Sequence, residues 1–232
     1  GSGLGASSTV VVSIIRAFCE LLKVPLDDYA IAGLAYKIER QDCRLQGGRQ
    51  DQYSATFGGF NFMEFYANDR TVVTPLRIKR WVLTELEASL VLFFTGVSRE
   101  SASIIAEQSS GVSSGNASSI AALHGLKKEA IVLKECLLRG DFVGVVDSMR
   151  SGWESKKNSA RTVSTPHIES IYNAAIDAGA AAGKVSGAGG GGFMLFFVAP
   201  ENRMNVIRRL GKYDGQVSNC HFSKHGVQAW SL

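Results

Sequence analysis

Two carboxylates, a pair of hydroxyls and two glycine clusters are the residues whose types and spacing could do chemistry in this chain of 232 residues. The first cluster opens the sequence, Gly1-Ser-Gly-Leu-Gly-Ala-Ser-Ser-Thr9, and an apolar pattern at helical spacing follows it directly. Glycine lets a backbone approach an anion and adopt positive φ without steric cost. A helix N-terminus behind it adds unpaired N–H groups and a partial positive charge, and together these make a phosphate cradle. The second cluster, Gly187-Ala-Gly-Gly-Gly-Gly192, lies far downstream. Between them, Asp51 stands in the glycine-flanked stretch Gly47-Gly-Arg-Gln-Asp-Gln-Tyr53, and Glu39 precedes Arg40 at the end of a helical pattern. Taken singly, Asp51 reads first as a turn aspartate and Glu39 as a helix-end charge paired with Arg40. Two such loops bracketing one chain point to nucleotide or sugar-phosphate chemistry.

The elements that must position these groups follow from periodicity. Val10, Val11, Ile14, Ile15, Phe18, Leu21 and Leu22 mark a helix from about Ser7 to Lys23, with Ser7 and Ser8 suited to its N-cap. Ile31, Leu34, Ala35 and Ile38 mark a second helix, started by Asp27 and Asp28. The polar piece Gln46–Gln52 reads as a loop, Phe57–Phe65 as a strand, and Asn68-Asp69 as a turn into a partner strand over Thr71–Leu76. Ser89–Thr95 suits a buried strand. Helical patterns cover Ser98–Gln108, Asn116–Arg139, Phe142–Asn158 and Pro166–Ala181, with Ser109–Ser114 as a loop. Phe193–Val198 is a strongly apolar strand, Pro200 opens a helix reaching Leu210, and short strands are expected near Val217–Phe222 and Val227–Trp230. The pattern is α+β, with a division in the Thr71–Glu87 region that we place as 1–80 and 81–232.

Neither glycine cluster suits the common nucleotide folds. A P-loop needs Lys-Ser/Thr after its last glycine, whereas Gly192 is followed by Phe193-Met194. The dinucleotide fingerprint needs a helix next, and Phe193–Val198 reads as a strand. The mild formal charge of +4 is carried by scattered pairs such as Lys79-Arg80 and Lys156-Lys157, without interleaved aromatics, which argues against nucleic acid as partner. The four cysteines show no C-x-x-C spacing and read as reduced thiols of a cytoplasmic protein. His221 and His225 fall in strand or turn rather than helix, so they read as surface histidines. No apolar run approaches the ~18 residues of a membrane span, and no signal peptide is visible. The sequence has no initiator Met and begins inside the glycine loop, which reads as the C-terminal portion of something longer.

In this order, the two loops and the carboxylate between them resemble the GHMP sugar and metabolite kinases. Gly1-Ser-Gly-Leu-Gly-Ala-Ser7 is similar to that family's phosphate loop, Gln46–Gln52 to its catalytic-aspartate loop, and Lys184-Val-Ser-Gly-Ala-Gly-Gly-Gly-Gly-Phe193 to its C-terminal glycine-rich motif. The stretch from Gly47 to Phe65, with Phe94-Thr-Gly-Val-Ser-Arg-Glu-Ser101, resembles the branch acting on D-glycero-D-manno-heptose 7-phosphate. Such enzymes move phosphate from ATP to the anomeric hydroxyl. Kinases of the fucose or galactose type, and a non-catalytic sugar- or nucleotide-binding regulator on the same fold, are the alternatives.

The resemblance implies a two-domain fold. A ribosomal S5 domain 2-like N-terminal domain, here truncated, would precede an α/β C-terminal GHMP domain. It implies Asp51 as catalytic residue, and Gly1, Gly3, Leu4, Gly5, Ala6, Ser7, Ser8, Gly187, Gly189 and Gly190 as the ATP site. Ser7 and Glu39 would hold Mg²⁺. Ala6 stands where the family has a serine, which removes a hydroxyl but no backbone N–H. The stretch ahead of the loop would carry base- and sugar-contacting residues and a lysine or arginine near the active site. A 7-phosphate needs cations away from the triphosphate, since two dianions repel. Arg99, Lys157 and Arg161 are the candidates, whereas Lys156 reads first as part of a solvated basic face. The expected partners are a small sugar phosphate and ATP, with no nucleic acid or membrane, and a homodimer is the assembly to test.

Overall fold

The computed structural model describes residues 3–97 and 101–231. Its chain divides into two compact units. One contains residues 4–77 and 222–232; the other contains 78–221 together with residues 1–3. The switch at 77/78 differs little from a cut at 80, but the last residues depart from the expected division by joining the first unit.

In the smaller unit, α1 (Ala6–Leu21) packs Val12 and Ile15 onto Ile31 and Ala35 of α2 (Asp28–Tyr36). Asp27 caps α2 by accepting from Ala30 N–H at 2.8 Å. Helix α2 then runs straight into a π-helical turn over Lys37–Asp42, which turns Glu39 inward and buries it. Such widened turns are frequent at functional sites. Helix α3 (Gln50–Phe57) follows, then the antiparallel hairpin of β1 (Asn61–Phe65) and β2 (Thr71–Pro75), paired from Asn61↔Pro75 to Phe65↔Thr71. Tyr29, Tyr53, Phe57 and Phe65 stack edge and face between hairpin and helices. Phe57 therefore ends a helix instead of opening a strand. Residues 222–231 form no strand: Val227 N–H reaches Ala55 O at 3.0 Å and Gly59 N–H reaches Ser223 O at 3.1 Å. The expected strand at Val227–Trp230 is a tail laid along α3.

The larger unit comprises α4 (Arg80–Ser89), β3 (Leu90–Phe94), α5 (Ser101–Ser113), α6 (Ala117–Arg139), α7 (Phe142–Ser159), α8 (Pro166–Asp177), β4 (Ala180–Val185), β5 (Phe193–Val198), α9 (Arg203–Leu210) and β6 (Gln216–Asn219). Its sheet has the order β4-β5-β3-β6 with every pair antiparallel. Val91, Phe93, Met194 and Phe196 of the sheet bury against Trp153, Ile168, Ile171, Val206 and Leu210 of the helices. Long antiparallel helices α6 and α7 meet at Gly140, which ends α6 in the left-handed conformation, and at Asp141, which caps α7.

Two expectations are corrected here. Most of the Ser109–Ser114 piece is the end of α5, which runs to Ser113, and Ser113 Oγ bonds back to Ser109 O at 2.9 Å. The helix from Pro166 stops at Asp177, and Ala180–Val185 form an edge strand whose small residues gave no alternation to read. Helix α7 covers that edge: Arg150 Nε donates to Ala181 O at 2.7 Å and Lys156 Nζ to Val185 O at 2.9 Å. Such cover blunts an exposed strand edge. Among the described residues no helix is long and apolar enough to cross a membrane.

Candidate active site

The N-terminus of α1 is built differently from the expected serine cap. Its N-cap is Gly5, in the left-handed region at φ +72°, with no side chain to bond the first turn. Thr9 N–H bonds Gly5 O at 3.0 Å, and among the described residues the N–H groups of Ala6, Ser7 and Ser8 have no acceptor. A serine cap would have satisfied one of these donors; glycine leaves them all open, as an anion cradle requires. Ser7 is exposed and Ser8 is buried.

The carboxylate expected to do chemistry lies against this cap. A Cβ added to Gly5 would stand 3.1 Å from Asp51 Cγ and 3.3 Å from its Oδ1. Glycine at 5 is thus required twice, by its φ and by Asp51. The aspartate is not in a loop: it occupies the first turn of α3, where the helix dipole favours a negative charge. Although the residue is open to solvent, burial around its carboxyl pushes the pKa above the usual carboxylate range. Arg40 nearby opposes that rise and Glu39 adds to it.

Glu39 accepts from Ser8 Oγ at 2.8 Å, and the Gln52 amide donates to the same Oε2 and to Ser8 Oγ at 3.2 Å. All three residues are buried, and Gln52 Oε1 is left without a partner. The structure therefore brings Ser8 to Glu39, while Ser7 is exposed on the first turn. Arg40, read from sequence only as a partner for Glu39, donates instead to Gly48 O and Gln46 O, each at 3.2 Å. It shapes the turn that leads to Asp51. Arg49 pairs with Asp69 and lies over the Tyr36 ring at 4.6 Å, fixing the start of α3.

In the larger unit, the second cluster is a turn between β4 and β5 that is tied to the rest of the unit by backbone hydrogen bonds at its ends and at Gly190. Gly190 N–H bonds Val163 O at 2.8 Å, Gly192 N–H bonds Val97 O at 2.8 Å, and Ser186 N–H bonds Phe193 O at 2.8 Å. The Gly190 N–H is thus engaged within the turn. Gly3 packs against Gly187 so closely that a Cβ at Gly187 would stand 2.9 Å from Gly3 Cα. Ser186 Oγ donates to Gly3 O at 3.0 Å.

Lys157 and Arg161 line one polar cavity of about 540 Å³, together with Ser110, Ser118, Ser119 and Asn158. Lys157 pairs with Glu154 at 2.8 Å and sits 5.8 Å from the Trp153 ring centre. Glu107 caps the short turn at Arg161, accepting its N–H at 2.8 Å and also the Thr162 hydroxyl, and these bonds hold its carboxyl below the usual range. Lys156 is not the solvated side chain expected: it is turned inward onto carbonyls at the base of the glycine turn. Gly1 and Arg99 lie outside the described residues.

An uncapped helix behind a Gly-x-Gly loop, with an aspartate against that loop, is an arrangement suited to binding phosphate. The chain matches the GHMP kinases N terminal domain over residues 1–59 and the GHMP kinases C terminal domain over residues 133–214. It is 51% identical over its whole length to a D-glycero-alpha-D-manno-heptose 7-phosphate kinase of Campylobacter jejuni, spanning 68% of that relative. It is 42% identical to a solved D-glycero-D-manno-heptose 1-phosphate kinase of Bacteroides thetaiotaomicron, with a TM-score of 0.79 over 100% of this chain and 64% of that one. A galactokinase of Lactococcus lactis shares the fold at 14% identity and a TM-score of 0.74, over 97% of this chain and 67% of its own. This chain belongs to the GHMP kinase family. It spans about two thirds of the length of these relatives.

Proposed function

We propose that the chain carries the catalytic centre of an ATP-dependent kinase for D-glycero-D-manno-heptose 7-phosphate, forming the 1,7-bisphosphate. The observation that carries this reading is the Asp51 carboxylate resting on Gly5, at the open N-terminus of α1. The whole-chain identity to a heptose 7-phosphate kinase supports the choice of sugar.

In this reading the free N–H groups of Ala6, Ser7 and Ser8, with the dipole of α1, hold the ATP phosphates. Asp51 orients the anomeric hydroxyl and takes its proton as the oxygen bonds the γ-phosphorus and the bond to the β-phosphate oxygen breaks, releasing ADP. Its raised pKa brings its proton affinity closer to that task. Most of the acceleration in such transfers comes from position and charge. The donors near the loop are oxygens, which suits Mg²⁺. Glu39 Oε2 is occupied by Ser8 and Gln52, leaving Oε1 and the exposed Ser7 hydroxyl to hold the ion. When bound there it would neutralise charge on the triphosphate. Lys157 and Arg161 on the polar cavity would hold the 7-phosphate.

The test is direct. The protein is expressed as this chain and at the full length of its relatives, then supplied with Mg·ATP and a panel of sugar 7-phosphates and free sugars. Appearance of a 1,7-bisphosphate by ³¹P NMR supports the reading. Turnover of fucose or galactose alone redirects it to another sugar, and nucleotide binding without turnover of any sugar by the longer form replaces it with a binding role.

A further inference from the structure

Glu39 is 3% exposed, Ser8 1% and Gln52 0%, so solvent contributes little to holding this carboxylate. Buried charges are paired with a counter-ion or coordinate a metal. Among the described residues no cationic side chain pairs with Glu39, and Arg40 beside it is engaged by Gly48 O and Gln46 O. Its hydrogen bonds converge on a single oxygen. Ser8 Oγ donates to Oε2 at 2.8 Å, and Gln52 Nε2 donates to the same atom. The other hydrogen of the Gln52 amide goes to Ser8 Oγ at 3.2 Å. The Ser8 proton is already given to Glu39, so toward Gln52 its oxygen can only accept. Turning the amide over would set its carbonyl oxygen against a carboxylate oxygen and this hydroxyl oxygen. The amide is therefore held one way round. That choice leaves Gln52 Oε1 buried with no partner, an unfavourable state. Glu39 Oε1 accepts no hydrogen bond among the described residues. The three corners come from α1, the π-helical turn and α3, with Gln52 one residue after Asp51.

We propose that Gln52 is a positioning residue for the metal: by committing Glu39 Oε2 to the protein it leaves Oε1 alone to bind the cation, so that Glu39 binds through one oxygen and the site favours Mg²⁺ over Ca²⁺. The proposal rests on the kinase reading, in which Glu39 holds Mg²⁺, and adds to it a residue and a selectivity. Mg²⁺ demands a small, near-octahedral shell, whereas Ca²⁺ collects more oxygens and readily takes both from one carboxylate. Hydrogen bonds to a ligating carboxylate also fix its orientation, and losing such a partner lowers metal affinity by roughly ten- to a hundredfold.

The experiment measures Kd for ADP by calorimetry with Mg²⁺, with Ca²⁺ and with EDTA, in wild type, Gln52→Met, Glu39→Gln and the double variant. In Gln52→Met, Kd for Mg·ADP should rise about tenfold while Kd for metal-free ADP stays in place. The ratio of Kd for Ca·ADP to Kd for Mg·ADP should fall several-fold. On top of Glu39→Gln, the Gln52 change should add nothing further, because it acts through that carboxylate. A general loosening of the fold would weaken metal-free ADP as well and leave the Ca²⁺ to Mg²⁺ ratio where it was, which overturns the proposal. Wild-type protein supplies a check that survives a variant failing to fold: the Gln52 side-chain amide, followed by ¹⁵N NMR, should shift when Mg²⁺ is added to the ADP-bound protein. If that amide stays still, or a folded Gln52→Met keeps the wild-type gain from Mg²⁺, the proposal is overturned while ADP binding by wild type still upholds the kinase reading. Absence of ADP binding by wild type in any form would instead defeat the kinase reading, and the proposal with it.

Discussion

The two glycine loops are alike in sequence and opposite in use. At the start of α1, glycine replaces a capping side chain, and among the described residues three successive N–H groups have no acceptor. Between β4 and β5, glycine lets the chain fold back on itself, and the N–H groups of Gly190 and Gly192 bond the protein's own carbonyls. The first loop leaves its N–H groups at a helix start, whereas the second is anchored to the fold at Gly190 and Gly192. Glycine content thus marks where a backbone comes close to something, and only the hydrogen-bond partners show whether that something is a ligand or the fold.

The largest expected effect is at the first loop. Asp51→Asn should lower kcat by roughly 10²-fold or more, the scale for a positioned acid–base group, with little change in Kd for ATP. The same change should raise Tm. The folded protein holds the Asp51 proton more readily than the unfolded chain, so stability falls as pH rises from the ordinary carboxylate pKa through the raised one. At neutral pH the ionised carboxylate is therefore a standing cost that asparagine removes. By the same sign, wild-type kcat should rise with pH on an acid limb whose midpoint lies above the ordinary aspartate value. A variant that loses both activity and Tm would make Asp51 a structural residue.

Next in size is Gly5→Val. A side chain there meets Asp51 and must adopt φ +72°, so calorimetry should show Kd for Mg·ADP rising by about tenfold or more, with a lower Tm. Unchanged affinity would dissolve the distinction between the loops. Glu39→Gln removes the charge expected to hold the ion and should raise the Mg²⁺ concentration for half-maximal rate several-fold, leaving Kd for metal-free ADP in place. The smallest effect is expected in the larger unit: Arg161→Ala should raise KM for the sugar phosphate by about tenfold or less while KM for ATP stays fixed. A parallel rise for ATP would remove the polar cavity from the substrate site.

The sequence carries the helices and the core strands through their periodicity, and the order of its three motifs carries the family. What it hides depends on partners far along the chain. Asp51 sits in a helix, since Arg40 and Arg49 order the turns before it. The tail after Phe222 looks like a strand, but it bonds to Ala55 and Gly59 rather than to a sheet. Lys156 resembles its exposed neighbours on a basic helix end, and only the register of β4 shows that it faces carbonyls. Ser7 and Ser8 are the instructive pair: the helix phase turns Ser8 inward to Glu39 and leaves Ser7 outside, a choice no local pattern records.

The contrast between the loops is tested most directly by hydrogen exchange resolved to single amides, measured with and without Mg·ADP. The amides of Ala6, Ser7 and Ser8, open in the free protein, should become strongly protected, while Gly190 and Gly192 should already be slow and change little. Protection gained at Gly190 and Gly192 with none at Ala6–Ser8 would reverse the roles of the two loops and contradict the placement of the phosphates at α1.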